Sequence, residues 1–298
     1  MKKYAIIFLV LITPFLSNAQ AQKDSLNGLL WKIEGNGLAT ASYLYGTVHM
    51  ICKEDFLFSN TLTEITRNVN SIYLELDMDE PGMTMKLASL AFMKKKSLKD
   101  LLSQVDYSLV SDFVRDSLKM PMMIFNKTKP LMLMSVIYTK ILPCSDQESY
   151  EQKFVALAKK FKKEIYGLET IEEQMSVFDN IPDSIEAQMI VEMIKTLPTQ
   201  KMQFAELIKV YKTENLDQIS SLMSNSPEWK GYEDIMLVNR NKNWISSMIN
   251  AMNKGSMIFA VGAGHLPGPN GIISLLRKSG FQVVPVTQKY DEMATIIE

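Results

Sequence analysis

Histidine, cysteine and excess charge are scarce in this chain, and each scarcity closes a class of function. In 298 residues there are two histidines, His49 and His265, and two cysteines, Cys52 and Cys144. Neither cysteine has a second one at metal-site or redox-motif spacing, which excludes zinc-ribbon and thioredoxin-like sites. The formal net charge is -1, from 32 basic and 33 acidic side chains, so no overall attraction draws a polyanion and no nucleic-acid partner is expected. Beyond residue 21 no apolar run is long enough to cross a bilayer. The Met-rich stretch 120–137 is broken by Asn126, Lys127, Lys129 and Pro130, so it is expected as buried helix and the mature chain is expected to have no integral membrane span. Solenoid repeats and low-complexity tracts are missing as well.

What is present suffices for a sizeable core: 47% of the residues are apolar and 22% charged, the composition of one large domain or two closely packed halves. Residues 1–21 have the form of a secretory signal. Lys2 and Lys3 make the basic start, 5–16 the apolar stretch, and Ser17-Asn18-Ala19 or Ala19-Gln20-Ala21 the cleavage site. The apolar part is short and interrupted by Pro14, which argues against an uncleaved anchor, and no cysteine follows it to carry a lipid. Export to a periplasmic or secreted location is expected, leaving one domain over 22–298 with a net charge of -3 once Lys2 and Lys3 are removed. In an oxidising compartment Cys52 and Cys144 can pair or stay as two separate buried thiols, and both readings stand.

The pattern of apolar residues predicts strands at 30–33 and 41–45, joined as a hairpin across Gly35 and Gly37, then a helix over 55–69 and a strand over 71–76. From about 80 to 252 the spacing is mostly helical, with apolar residues at three- and four-residue intervals in 98–118, 131–142, 150–161 and 185–197. Asp183-Ser184-Ile185-Glu186 has the form of a capping box, and one short strand at 164–167 leads into Leu168, Glu169 and Thr170. The end alternates again: strand 257–261, helix 271–278, strand 282–286. The fold class expected is α/β (α+β), a central mixed sheet built from the N- and C-terminal segments with a large helical insertion between them.

Two short motifs recur in the same setting. Gly46-Thr47-Val48-His49 follows the strand ending at Tyr45, and Gly262-Ala263-Gly264-His265 follows the strand ending at Val261. With 13 glycines in the chain, a glycine three places ahead of a histidine arises by chance about 4% of the time and twice over about 0.2%, so coincidence explains the pair poorly. Glycine after a strand permits a sharp turn or a close approach, and histidines there project from the carboxyl edge, where open α/β sheets bind ligands. Glu75 lies within an apolar strand, where an ionised carboxylate is costly unless paired or bound to a cation. Asp77, two residues on, points to the same side of such a strand or is a solvated strand end. Glu169 follows a strand and Gly167, as a site acid or as an acid favoured at a helix start.

Segments 30–33 and 42–49, Leu74-Glu75-Leu76-Asp77, Gly167-Leu168-Glu169-Thr170 with Gln174, Arg240-Asn241 with Trp244, and Val261-Gly262-Ala263-Gly264-His265-Leu266 with Gly271, Leu275 and Leu276 together resemble the TraB/GumN family. The resemblance covers nearly the whole mature chain, and the combination is specific where each piece alone is weak. That family is related to the Tiki proteases and more distantly to the ChaN and erythromycin esterase groups. The resemblance therefore implies an α/β core with paired histidines and glutamates facing one cleft, and, from the Tiki members, a manganese- or cobalt-dependent peptidase. Carried over residue by residue, His49, Glu75 and His265 match the motifs, with Glu169 and Arg240 at further polar positions. Glu151 departs from the pattern, since an aspartate is expected to open the helix before Lys159 and Lys160.

A mixed imidazole and carboxylate set suits a borderline divalent ion, manganese, cobalt or possibly zinc. His49, Glu75, His265 and Glu169 are the expected ligands. His49, Glu75, His265 and Arg240 are the expected catalytic groups, Glu75 as ligand or general base and Arg240 as oxyanion donor or as a helix-face ion pair. The expected function is metal-dependent hydrolysis of a peptide or small-molecule substrate. Two alternatives remain: a metal-free esterase using a histidine-glutamate base, and a non-catalytic peptide-, metal- or porphyrin-binding protein. Met132, Met134, Met189 and Met193 are expected to pack the helical core, with a cleft lining as the alternative.

Overall fold

In the computed structural model, which describes residues 27–224 and 231–290, the first two apolar runs pair as expected. The leader expected over residues 1–21 lies outside the described residues. Strand β1 (Leu30–Glu34) runs antiparallel to β2 (Ser42–Thr47), with Trp31 opposite Leu44, and the turn between them uses left-handed backbone at Gly35, Asn36 and Gly37. Short β3 (Ile51–Cys52) follows, then helix α1 (Asn60–Asn68) and strand β4 (Ser71–Leu74). The helix expected over 55–69 starts only at Asn60, because the Ser59 hydroxyl accepts the Leu62 N–H and caps it there.

The middle supplies α2 (Met83–Leu90), α3 (Leu98–Leu101), α4 (Gln104–Asp116), α5 (Pro130–Tyr138), β5 (Gln147–Glu148), α6 (Tyr150–Phe161), β6 (Glu164–Gly167), α7 (Ile171–Phe178), α8 (Asp183–Lys195), α9 (Leu197–Lys212) and α10 (Leu216–Ser224). After a π-helical turn at Asp234–Val238 come α11 (Asn239–Met252), β7 (Met257–Gly262), α12 (Ile272–Lys278) and β8 (Gln282–Pro285). The single helix expected over 98–118 is two, because Leu102 is extended and Ser103 caps a new start by accepting the Asp106 N–H. The capping box expected at 183–186 does not form. Pro182 holds the cap position and Glu186 is buried against α5, whereas Thr170 and Glu173 make the reciprocal pair at the start of α7.

The main sheet has the order β6-β4-β7-β2-β1-β8. Strands β6, β4, β7 and β2 are mutually parallel, and β1 is antiparallel to β2 and β8, so the sheet is mixed. Its most central strand, β7, is a near-continuous apolar run, as a parallel strand covered on both faces should be. One edge strand, β6, comes from the helical middle rather than from either end of the chain. Nothing local in the sequence fixes that placement, since parallel pairing joins strands distant along the chain.

Two apolar clusters result. One surrounds the sheet, and a second lies among the helices around Leu98, Val110, Val114, Leu133, Ile137 and Ile190. Met193 and Met134 belong to the second, while Met132 and Met189 are half-buried. The stretch 120–137 is not uniformly buried, for Met123 and Ile124 are exposed. Cys52 and Cys144 are joined as a disulfide, settling the choice left open by the sequence. Among the described residues no helix is long and apolar enough to cross a membrane.

Candidate functional site

The register of the four parallel strands brings their carboxyl ends to one edge: Thr47 pairs with Gly262, and Leu74 pairs with both Ala260 and Gly167. The residues that leave those ends are His49, His265, Glu75 and Glu169. Strand β4 stops at Leu74, so Glu75 lies just beyond the strand and not within it. There it meets donors: the Gly262 N–H reaches Oε1 at 2.8 Å and Arg240 Nη2 reaches Oε2 at 2.6 Å. Burial by itself would raise the Glu75 pKa, but the charges of Arg240 and His49 and the Gly262 N–H hold it well below the usual carboxylate range.

His265 occupies the single helical turn after β7 and is buried. Asn241 on α11 fixes its tautomer. The Asn241 amide nitrogen donates to the carbonyls of Asn270 at 2.9 Å and His265 at 3.3 Å, which turns Oδ1 towards the imidazole, 2.6 Å from Nδ1. The proton therefore sits on Nδ1, and the Nε2 lone pair faces Arg240 Nη1 at 3.2 Å and lies 3.7 Å from Glu75 Oε1. Trp244, one turn along α11, lies against the ring with centroids 4.6 Å apart. Burial first, then the charges of Arg240 and His49, push the His265 pKa down to about 3 against the pull of Glu75. The ring is neutral.

His49 lies at the mouth of the cleft, its side chain 67% exposed. Pairing of β3 with β5 ties its loop to the start of α6, where Ser149 caps the helix and Glu151 follows. Glu151 Oε1 accepts from Thr47 Oγ1 at 2.8 Å and from His49 Nδ1 at 3.0 Å, and Ser149 Oγ donates to Oε2 at 2.9 Å. Desolvation disfavours the His49 cation, but the hydrogen bond to Glu151 and the charges of Glu75 and Glu151 outweigh it and raise the pKa to about 9.

The two histidines meet Glu75 around one small space. A Cβ on Gly262 would stand 3.4 Å from Glu75 Oε1, 3.6 Å from His265 Cδ2 and 3.9 Å from His49 Nε2. The first glycine of the other motif serves packing, since a Cβ on Gly46 would lie 3.1 Å from the Ala263 backbone and from Leu266.

Glu169 stands differently from the expected fourth ligand. Both of its oxygens accept from Arg240 Nε at 3.1 Å, Oε1 accepts from Arg240 Nη2 at 2.6 Å and Gln174 at 3.1 Å, and Oε2 accepts from Trp244 Nε1 at 3.1 Å. Its lone pairs are committed to holding the guanidinium, which it shares with Glu75. Arg240 is thus a buried bridge between carboxylates, not a surface ion pair. Asp77 does not share a strand face with Glu75. Burial and the neighbouring Asp79 and Glu80 lift its pKa to about 6.

As ligands, His265 and His49 each have one ring nitrogen held by Asn241 or Glu151, and both rings border the same space beside Gly262 as Glu75 Oε1. Outer partners that fix the non-ligating nitrogen are what metal-binding imidazoles require, so the donor chemistry fits a borderline divalent ion. Among the described residues no three such side chains already stand at liganding distance, and the lone pair of His265 is engaged by Arg240.

Sequence reasoning missed Asn241, Thr47 and Trp244 as site residues and saw Glu151 only as a departure from a pattern. The available signal was the spacing of Arg240, Asn241 and Trp244, which places all three on one helix face. A family model described as the TraB/PrgY/gumN family matches residues 29–285. No curated protein and no solved structure matches.

Proposed function

We propose, from the premise that the chain belongs to the TraB/PrgY/gumN family, that it is an exported metal-dependent hydrolase cleaving an amide or ester bond in a peptide or small molecule. The observation that carries this reading is the approach of His49 Nε2, Glu75 Oε1 and the His265 ring to the space left by Gly262. His49, Glu75 and His265 would hold manganese, cobalt or zinc, which when bound supplies Lewis acidity to a carbonyl and a water.

The chain's own groups do the rest. Asn241 keeps the His265 lone pair aimed inward, and Glu151 holds the His49 ring through Nδ1 so that a bound cation would displace the proton on Nε2. Glu75 stays ionised across the physiological range, so the oxygen not held by Arg240 faces the space between the histidines as an anionic ligand. Arg240, clamped by Glu169, presents fixed N–H groups beside the reacting space and stabilises negative charge developing there.

A metal-free histidine base is the competing chemistry, and it needs an imidazole poised near neutrality. The test is turnover of a peptide and ester library by the mature chain, with and without a chelator, beside His49→Ala and His265→Ala. Loss of turnover in both variants and under chelation supports the proposal. Unchanged turnover in both variants rejects it, and turnover indifferent to chelation but lost in the variants favours the metal-free base.

A further inference from the structure

A cationic, apolar ridge lies outside the site, on the helical middle of the chain. Segments 91–99 and 121–128 are laced together: the Lys127 carbonyl accepts the Met93 N–H at 2.9 Å, the Asn126 carbonyl accepts the Leu98 N–H at 2.8 Å, and Phe92 bridges to Thr128. Ala91, Leu98, Phe125 and Thr128 are buried beneath, so the backbone is pinned and the remaining side chains are held outward. Phe92 is 54% exposed, Ile124 47% and Met123 84%. The same two segments hold five exposed lysines, Lys94, Lys95, Lys96, Lys99 and Lys127, against one bordering acid, Asp100, which is bonded to Ser97 and lies near Lys96 and Lys99. In a chain of net charge -1 that is a strong local excess.

We infer that this ridge docks on an anionic phospholipid bilayer, with Phe92, Met123 and Ile124 entering the headgroup layer and the lysines meeting the lipid phosphates. Apolar tips among lysines are the composition of interfacial anchors, and the charge sign is complementary to such a surface. This docking is independent of the hydrolase chemistry.

The experiment is co-sedimentation of the mature chain with vesicles of phosphatidylcholine alone and of phosphatidylcholine mixed with phosphatidylglycerol, at low and high salt. The expected result is binding to the anionic vesicles only, weakened by salt. Each lysine near the surface is worth about fivefold in affinity, so the combined Lys94→Gln, Lys95→Gln, Lys96→Gln variant should bind on the order of 100-fold more weakly. Phe92→Ser with Met123→Ser should also lose binding, and a Met123→Trp probe should shift its emission to the blue on anionic vesicles. All these positions are exposed, and an unchanged melting temperature verifies that the variants are folded. Equal binding of parent and lysine variant, no binding to anionic vesicles, or a probe unshifted on them would overturn the inference. So would capture by polyglutamate with vesicles left unbound.

Discussion

Asn241 decides which side of His265 carries a lone pair, and Gly262 decides whether there is space in front of it. These two residues separate fold from function. Asn241→Ala leaves the buried Nδ1–H without its acceptor, so it should cost about 1–3 kcal/mol in stability and weaken metal binding by about 10- to 100-fold. Gly262→Ala is different. The backbone there has a φ of -50°, open to any residue, and the added methyl would make only ordinary contacts at 3.4–3.9 Å. Denaturant unfolding should change by less than about 1 kcal/mol, while metal occupancy and turnover fall sharply, because the methyl occupies the space between His49, Glu75 and His265. An alanine variant with full turnover would mean that this space is not where the chemistry occurs. At this scale the sequence was informative about residues announced by their neighbours. The paired glycine-histidine motifs and a lone carboxylate after an apolar run pointed to His49, His265 and Glu75. Glu151 carries no such signal, since an acid in the first turn of a helix has an innocent local explanation, and Asn241 is marked only by sharing a helix face with Arg240 and Trp244.

At the scale of elements, the small β3–β5 pair has a large consequence, because it joins the loop carrying His49 to the helix start carrying Glu151. The disulfide between Cys52 and Cys144 crosses the same junction. Replacing both cysteines with serine should lower stability by about 2–4 kcal/mol, read from the shift of the denaturation midpoint, and a reductant should reproduce the loss in the parent protein. Helices α5 and α8 meet through Glu186, whose carboxyl accepts the Leu131 N–H. Burial, then the charge of Asp183, raises its pKa from 4.5 to about 7. Between those values the folded chain holds a proton that the unfolded chain has released. The stabilisation is complete below pH 4.5 and is lost as pH rises through about 7. Glu186→Gln removes that dependence, so its stability relative to the parent should rise by about 1–2 kcal/mol between about pH 5 and about pH 8, allowing for solvent screening. A constant difference across that range would contradict the assignment. The same residue shows why the capping box failed: a four-residue pattern says nothing of what packs over it, and here α5 covers the glutamate.

For the whole molecule, the decisive feature is a sheet in which four parallel strands, drawn from the beginning, middle and end of the chain, finish at one edge. Strand and helix types were largely legible, because apolar spacing of two or of three and four is a local property. The capture of β6 by the outer edge of β4 was not, and that capture is what brings Glu169 to Arg240 and Arg240 to Glu75. The central claim is that the two histidines and Glu75 act on one ion. Visible absorption of residues 22–298 titrated with cobalt(II) tests it most directly. The expected result is one equivalent bound with bands of a nitrogen- and oxygen-ligated ion, absent in His265→Ala and reduced in His49→Ala. Identical spectra and stoichiometry in parent and both variants would contradict it.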